Sequence, residues 1–242
     1  MEDWFSKWFD SDYYHILYSH RDYNEAKAFI DALDRLFNFR PEQKALDAAC
    51  GRGRHAIYLY EKGLEVTGID LSEKSIEYAK QSARKGLDFL IHDIRYPLRK
   101  EGFDFVFNLF TSFGYFENKE DNFLAIQAFS ENLMPNGYLV LDFLNTEKAV
   151  NRLVREDCKI VGGIVFHITR RIEGDFLIKE IHFEDQGKKN HFYEKVRMIR
   201  VEEFGNYFKL AGFSVEKLFG DYTLGPFDEK KSDRMIFIGK KF

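Results

Sequence analysis

The sequence predicts an α/β fold in which a parallel sheet is covered by helices on both faces and interrupted by an antiparallel β insertion. Three observations carry that expectation. Between residues 44 and 144, short apolar runs of strand length alternate with segments whose apolar residues recur at helical spacing, the mark of repeated βα units. After about residue 158 the apolar residues alternate strictly with polar ones, as they do in strands with one wet face. From residue 201 the βα style resumes.

Taken in order, residues 24–39 set Ala26, Phe29, Ile30, Leu33, Leu36 and Phe37 on one helical stripe, with Pro41 beyond as a stop. Lys44–Ala49 reads as a buried strand, Arg54–Glu61 as a short helix ended by Gly63, and Leu64–Ile69 as a second strand. Ser72 caps a helix carrying Ile76, Ala79 and Ala83 that closes at Gly86. Leu87–Ile91 and Phe103–Leu109 are strands, and Asp121–Met134 is a helix with Ile126, Phe129 and Leu133 inward. Pro135-Asn136-Gly137 predicts a turn before a fifth strand, Tyr138–Leu144. In the insertion, Ile164, Phe166 and Ile168 alternate with His167, Thr169 and Arg171; Phe176–Glu184 returns, and Phe192–Met198 alternates again. Gly174-Asp175 and residues 186–190 supply the turns, so the reading is a three-stranded meander. Its wet face is expected to carry His167, Arg171 and Arg197. A helix over 201–211 and strands over 213–219 and 235–240 complete the chain. The implied division is a main domain of residues 1–158 and 200–242 with a small β cap, residues 159–199, inserted into it.

With 242 residues, 45% hydrophobic and 31% charged, the chain can bury a core without staples. Its 36 basic and 40 acidic residues leave a net charge of -4, which gives no global attraction to nucleic acid or anionic lipid. Two cysteines, neither in a metal-type CxxC, exclude a disulfide framework. No apolar run reaches the ~20 residues of a bilayer span, and the opening MEDWFSKWFD is acidic and aromatic rather than a basic leader. The expected compartment is the cytoplasm, without a membrane partner.

The segment with chemical content is Ala45-Leu46-Asp47-Ala48-Ala49-Cys50-Gly51-Arg52-Gly53-Arg54-His55-Ala56, with Asp70 at the tip of the next strand. Glycines between a strand and a helix let a nucleotide approach the backbone, because a Cβ there would collide. An acid roughly 20 residues on can accept hydrogen bonds from both ribose hydroxyls. Gly51-x-Gly53-x-x-Ala56 also satisfies the dinucleotide fingerprint. Asp47 separates the two readings: a carboxylate at the strand end repels a pyrophosphate and suits a cationic ligand.

LDAACGRGRHAIYLYEKGLEVTGIDLS resembles the first two motifs of the class I S-adenosylmethionine-dependent methyltransferases, whose cofactor carries an ammonium and a sulfonium and no phosphate. FLIHDIR is similar to the loop that receives the adenine, and FDFVFNLFTSFGYF resembles the fourth motif, which faces methyl group and acceptor. The resemblance covers roughly residues 12–145 and resumes at 201–242, where LAGFSVEKLFGDY and RMIFIGKKF look like the family's terminal hairpin. It implies a Rossmann-like, seven-stranded, mainly parallel sheet with an antiparallel last strand. A narrower resemblance, from Tyr13 to Tyr23 and through the meander after the fifth strand, is to small-molecule N-methyltransferases acting on aminosugars and glycine. There the N-terminal segment folds over the cofactor and the meander over the active site.

The resemblance implies S-adenosylmethionine as cofactor. Asp47, Ala49, Gly51, Gly53 and Asp70 would hold its backbone and ribose; Leu71, His92, Asp93 and Ile94 its adenine; Tyr14, Tyr18 and Arg21 its methionine end; and Asn108 the region of the methyl group. Tyr115 and His15 are the candidates for orienting or deprotonating the acceptor. Each has a plainer reading: strand-end turns for the glycines and aspartates, a helix cap for Asp93, chance placement for one of 13 tyrosines. The Asp/Asn-Pro-Pro-Tyr/Phe motif of enzymes that methylate base amines is replaced by Asn108-Leu109-Phe110-Thr111, and no acidic metal-ligand set stands out. The expected activity is methyl transfer to a small-molecule amine or hydroxyl by a monomer or homodimer. The alternatives are an RNA or protein methyltransferase, a non-catalytic sensor of the cofactor or its product, and an NAD(P) oxidoreductase.

Overall fold

Strands apolar on both faces need covering twice, and the chain meets that need with two separate cores. The computed structural model describes residues 4–19 and 23–242. In order, its elements are α1 (Trp4–Phe9), α2 (Asp12–Leu17), α3 (Tyr23–Phe37), β1 (Lys44–Ala48), α4 (Arg54–Glu61), β2 (Glu65–Asp70), α5 (Glu73–Lys80), β3 (Leu87–Ile91), β4 (Phe103–Asn108), α6 (Lys119–Asn132), β5 (Leu133–Leu144), α7 (Thr146–Asn151), β6 (Glu156–Val161), β7 (Ile164–Glu173), β8 (Phe176–Asp185), β9 (Lys188–Arg197), α8 (Val201–Leu210), β10 (Phe213–Phe219) and β11 (Arg234–Lys241).

Seven strands form the main sheet in the order β10-β11-β5-β4-β1-β2-β3. Strands β1 to β5 pair in parallel, and β11 runs antiparallel to both its neighbours. The expected sheet, including its antiparallel last strand, is therefore present. Successive residues feed opposite cores, as the two-residue period of a strand requires. Leu139, Leu141, Met235 and Phe237 join the cluster under α6 and α8, while Val140, Ile236 and Ile238 join the cluster under α3 and α4. The parallel direction leaves the carboxyl ends of β1, β2 and β4 on one edge, which is where ligands bind in open α/β sheets.

Two expectations are corrected. The turn predicted at 135–137 lies inside β5. Asn136 takes φ +65°, and a Cβ on Gly137 would come within 2.9 Å of the Met134 carbonyl and 3.0 Å of that of Asp104. The strand passes through this tight kink, and the β4–β5 register shifts between Phe103 and Phe105. The cap has four antiparallel strands, β6-β7-β8-β9, rather than three. β6 escapes detection because none of its residues is fully buried, which blurs its alternation. The overlooked signal was Gly162-Gly163: both glycines have positive φ, and Val161 pairs directly with Ile164, the two-residue hairpin that favours glycine.

The inner face of the cap is packed by the N-terminal helices. Trp8 and Leu17 share a cluster with Ile164, Phe166, Ile168, Ile181 and Phe183. Polar bonds fasten the two: the Trp8 indole donates to Glu194 at 2.9 Å, Tyr13 to Asp185 at 2.9 Å and Tyr18 to Glu194 at 2.6 Å. Helices α1 and α2 and the cap sheet thus make one roof over the carboxyl edge of the main sheet. Among the described residues no helix is long and apolar enough to cross a membrane.

Candidate active site

Between roof and sheet lies a cavity of about 780 Å³, within the ~300–1,000 Å³ range of small-molecule sites. Its floor is the loop from β1 to α4. Ala49 (φ +63°), Gly51 (φ +54°) and Gly53 (φ +82°) turn this loop left-handed. Gly53 is demanded by packing, since its Cβ would sit 2.6 Å from the Phe89 ring. Gly51 is different: it lines the cavity, and among the described residues nothing lies within 4 Å of the place a Cβ would take. Ala49 and Cys50 line the cavity with it.

Asp70 ends β2 on the same wall. One carboxylate oxygen accepts the Gly51 N–H and the other the Ser72 N–H, each at 2.8 Å. Burial raises its pKa, while these backbone N–H groups pull it down. Each oxygen retains acceptor capacity toward the cavity. The Ser72 hydroxyl donates to Asp10, so the roof is tied to the tip of β2. Leu71 and Ile94 also line the cavity.

Several sequence-derived candidates lie elsewhere. Asp47 is not on the cavity wall: it is 1% exposed, and one of its oxygens has no partner among the described residues. Burial raises its pKa to about 7, against a hydrogen bond from the Ala56 backbone. Asp93 is turned away by Arg95, whose guanidinium grips both carboxylate oxygens at 2.6–3.1 Å and also reaches Asp121. His92 lies at the surface beside the Tyr96 carbonyl. Asn108, fully buried, donates to the carbonyls of Ala48 and Ser112 and so staples β4 to β1 behind the wall. Arg197 is 5% exposed and bonded to Asp175, not on the wet face of the cap. Arg21 lies outside the described residues.

The roof brings Tyr14, His15 and Tyr18 to the cavity wall. His15 is held neutral, its pKa lowered to about 4 by burial and by the charge of Arg52. Tyr115 also lines the cavity, donates to the Thr111 carbonyl at 2.5 Å, and packs its ring among Trp4, Phe5 and Phe9.

Two parts of the site were not singled out from the sequence. The first is Asp142 behind the end of β4, where Phe110 and Thr111, in the run that resembles the fourth motif, both take φ near +60°. Buried Asp142 holds them there: it accepts the Phe110 N–H at 2.7 Å through its carboxylate and the Thr111 N–H at 3.1 Å through its carbonyl. Arg234 bonds Asp142 and the Thr111 hydroxyl, both at 2.7 Å. Burial opposes the Arg234 charge, but Asp142 outweighs it and keeps the guanidinium protonated. A lone carboxylate in the apolar run Tyr138–Leu144 was the sequence signal, because such a group is seldom buried without a partner. The second part comes from the cap: Arg170, Leu177, Lys179, Glu194 and Val196. Lys179 and Glu194 are cross-strand partners, and Lys179 also donates to Tyr18. Only strand register puts these distant residues over the site.

The model of a methyltransferase domain family matches residues 40–212. The chain belongs to that family. Among curated relatives, the putative methyltransferase YqeM of Bacillus subtilis is 28% identical over 238 residues, covering 94% of both chains. The dTDP-3-amino-3,4,6-trideoxy-alpha-D-glucopyranose N,N-dimethyltransferase of Streptomyces venezuelae is 29% identical over 244 residues, covering 95% of this chain and 96% of its own. Among solved structures, an S-adenosylmethionine-dependent methyltransferase of Clostridium acetobutylicum superposes with a TM-score of 0.80 at 21% identity, over 95% and 96% of the two chains. The amino pentose methyltransferase CalS10 of Micromonospora echinaspora, solved with S-adenosylmethionine bound, gives 0.74 at 21% identity over 96% and 98%. The chain is a class I S-adenosylmethionine-dependent methyltransferase.

The residues present suit that cofactor. A half-buried carboxylate with acceptor capacity lines the cavity at the tip of β2, and no described residue fills the room a Cβ on Gly51 would take. The wall beside them is apolar and aromatic.

Proposed function

We propose that the methyl acceptor is a small-molecule amine bound under the roof. The observation that carries this reading is the roofed cavity, lined by Glu194 and Lys179 from the cap and by Tyr115 and Thr111 from the loop after β4. A helical roof fastened by Trp8, Tyr13 and Tyr18 supports a small acceptor over a nucleic-acid strand or a folded protein. Glu194, bonded to Trp8 and Tyr18 and ion-paired with Lys179 at 3.4 Å, gives that wall a polar pair to receive a polar acceptor. The curated N,N-dimethyltransferase of a dTDP-amino sugar matches 95% of this chain, and supports the amine over a hydroxyl.

Asp70 would hold the ribose, Leu71 and Ile94 the adenine, and Ala49, Gly51, Tyr14 and Tyr18 the methionine end. Bound S-adenosylmethionine supplies a methyl group already activated on a sulfonium. The chain's task is then placement, and holding reacting atoms about 3–3.5 Å apart lowers a barrier by roughly 7–11 kcal/mol. Phe5, Phe9, Phe110, Phe113 and Tyr115 keep water from the reacting centre. Tyr115, braced on Thr111, orients the acceptor through its phenol. His15 is neutral at physiological pH and acts as a hydrogen-bond acceptor; with its pKa near 4 it is a weak base.

The test is a transfer assay with labelled S-adenosylmethionine against matched panels of primary amines, aminosugars, alcohols and sugars. Label is expected in amines only. Transfer to alcohols at equal or higher rate would overturn the amine reading. Transfer to RNA or protein at a higher rate than to any small molecule would overturn the small-molecule reading.

A further inference from the structure

The outward face of the cap carries a side-chain cluster that methyl transfer does not use. His182 on β8 stands directly opposite His191 on β9. On its other side it is opposite His167 on β7, which is opposite Cys158 on β6. Paired residues share a face, so Cys158, His167, His182 and His191 form one transverse row on the solvent side of the sheet. The rings of His182 and His191 stack at 4.3 Å and 3°. Glu180 precedes His182 by two residues, hence on the same face, and brings Oε2 to 3.6 Å from His182 Nε2. One donor atom each from Glu180, His182 and His191 lies within 4.8 Å of the other two.

We propose that Glu180, His182 and His191 bind a divalent transition-metal ion of the zinc type, clipping β8 to β9. Two imidazoles and one carboxylate make a donor set suited to Zn²⁺ and its first-row neighbours, and unlike the oxygen shells of Ca²⁺ or Mg²⁺. Metal–ligand bonds of about 2.0–2.2 Å place the donors of a tetrahedral site roughly 3.5 Å apart. Closing the site therefore asks the donors to draw in by about 1.3 Å, a movement side-chain rotation supplies. The two rings turn out of their stack so that a lone pair on each converges on the ion. The backbone under them is already fixed by an unbroken ladder from Phe176 and Arg197 to Asp185 and Lys188. Arg171 holds the other Glu180 oxygen at 2.7 Å and orients the carboxylate, as outer partners of metal ligands do. Three ligands leave a position for water or for a donor from a partner. The residue before Glu180 is Lys179, which with Glu194 lines the cavity on the opposite face, so the ion would stiffen the hairpin that carries those two side chains.

The experiment is calorimetric titration of Zn²⁺ into the full chain, free of any affinity tag, with Cu²⁺ resonance spectra on the same samples. One ion per chain is expected, with nitrogen splitting from two imidazoles. His182→Ala and His191→Ala should each weaken binding at least tenfold, and the double variant should abolish it. Cys158→Ser should leave it unchanged, since the thiol lies two strands from His182. All three ligands are on the outward face, so these variants keep the core. Absence of saturable Zn²⁺ binding, binding that survives in the double variant, or binding lost in Cys158→Ser would each overturn the proposal.

Discussion

Asp47 and Asp70 lie near the ends of neighbouring strands, the first buried and the second half-buried, and their surroundings set them to different work. Asp70 is satisfied by backbone N–H groups and faces the cavity, so it can meet a ligand as an anion. Charge-assisted hydrogen bonds contribute about 1.5–3 kcal/mol each. Asp70→Ala is therefore expected to weaken S-adenosylmethionine at least a hundredfold, measured by calorimetry. Asp47 has an oxygen with no partner among the described residues, and its folded pKa of about 7 lies above the ordinary 3.8. The stability linked to it is present at low pH and is lost as the pH rises toward 7, because the folded state then has to ionise a buried group. The melting temperature of wild type relative to Asp47→Asn should fall between pH 4 and 8; a constant difference would contradict this. Asp142 is a third case, with Arg234 bonded to it in the wall. Asp142→Ala strands that guanidinium and should cost about 3–5 kcal/mol in urea unfolding.

Among the elements, α4 shows packing deciding a residue that looks like a ligand contact. A Cβ on Gly53 would enter the Phe89 ring, at a left-handed backbone position. Gly53→Ala should destabilise the fold by about 1–3 kcal/mol through overpacking, with S-adenosylmethionine affinity falling only in step with stability. The roof obeys another rule. Trp8 is fully buried between α1 and the cap, away from both cores of the main sheet. Trp8→Ala should loosen the roof while the sheet keeps its cooperative unfolding. The expected result is a tenfold or greater rise in KM for the acceptor, with little change in the main melting transition.

At the scale of the whole molecule, two cores flank the sheet and a third joins cap to N-terminal helices, so ligand binding couples all three through the cavity they enclose. A ligand at 100 times its Kd adds about 2.7 kcal/mol, which for a chain of this size raises the melting temperature by roughly 5–10 °C. S-adenosylmethionine and S-adenosylhomocysteine should produce that shift and NAD should not, and Asp70→Ala should remove it. His15 is neutral in the fold above about pH 4. The rate of transfer should therefore rise with pH through the acceptor's own ammonium pKa, with no inflection from His15 between pH 6 and 8.

The sequence by itself determined the βα alternation, the glycine loop, the acid at the tip of β2 and the family these define. Each of those is a local matter, settled by apolar periodicity or by a few residues around one strand end. What needed the tertiary structure was every question of who faces whom. Arg95 is shared between Asp93 and Asp121 on α6, and Asn108 serves as a staple because β1 ends beside it. Asp142 supports a loop some thirty residues earlier in the chain. Glu194 reaches Trp8 and Tyr18 across more than 170 residues, and His191 meets His182 through strand register alone. Such pairings depend on how twisted strands stack and on which buried charges find partners, and no local pattern in the chain encodes them.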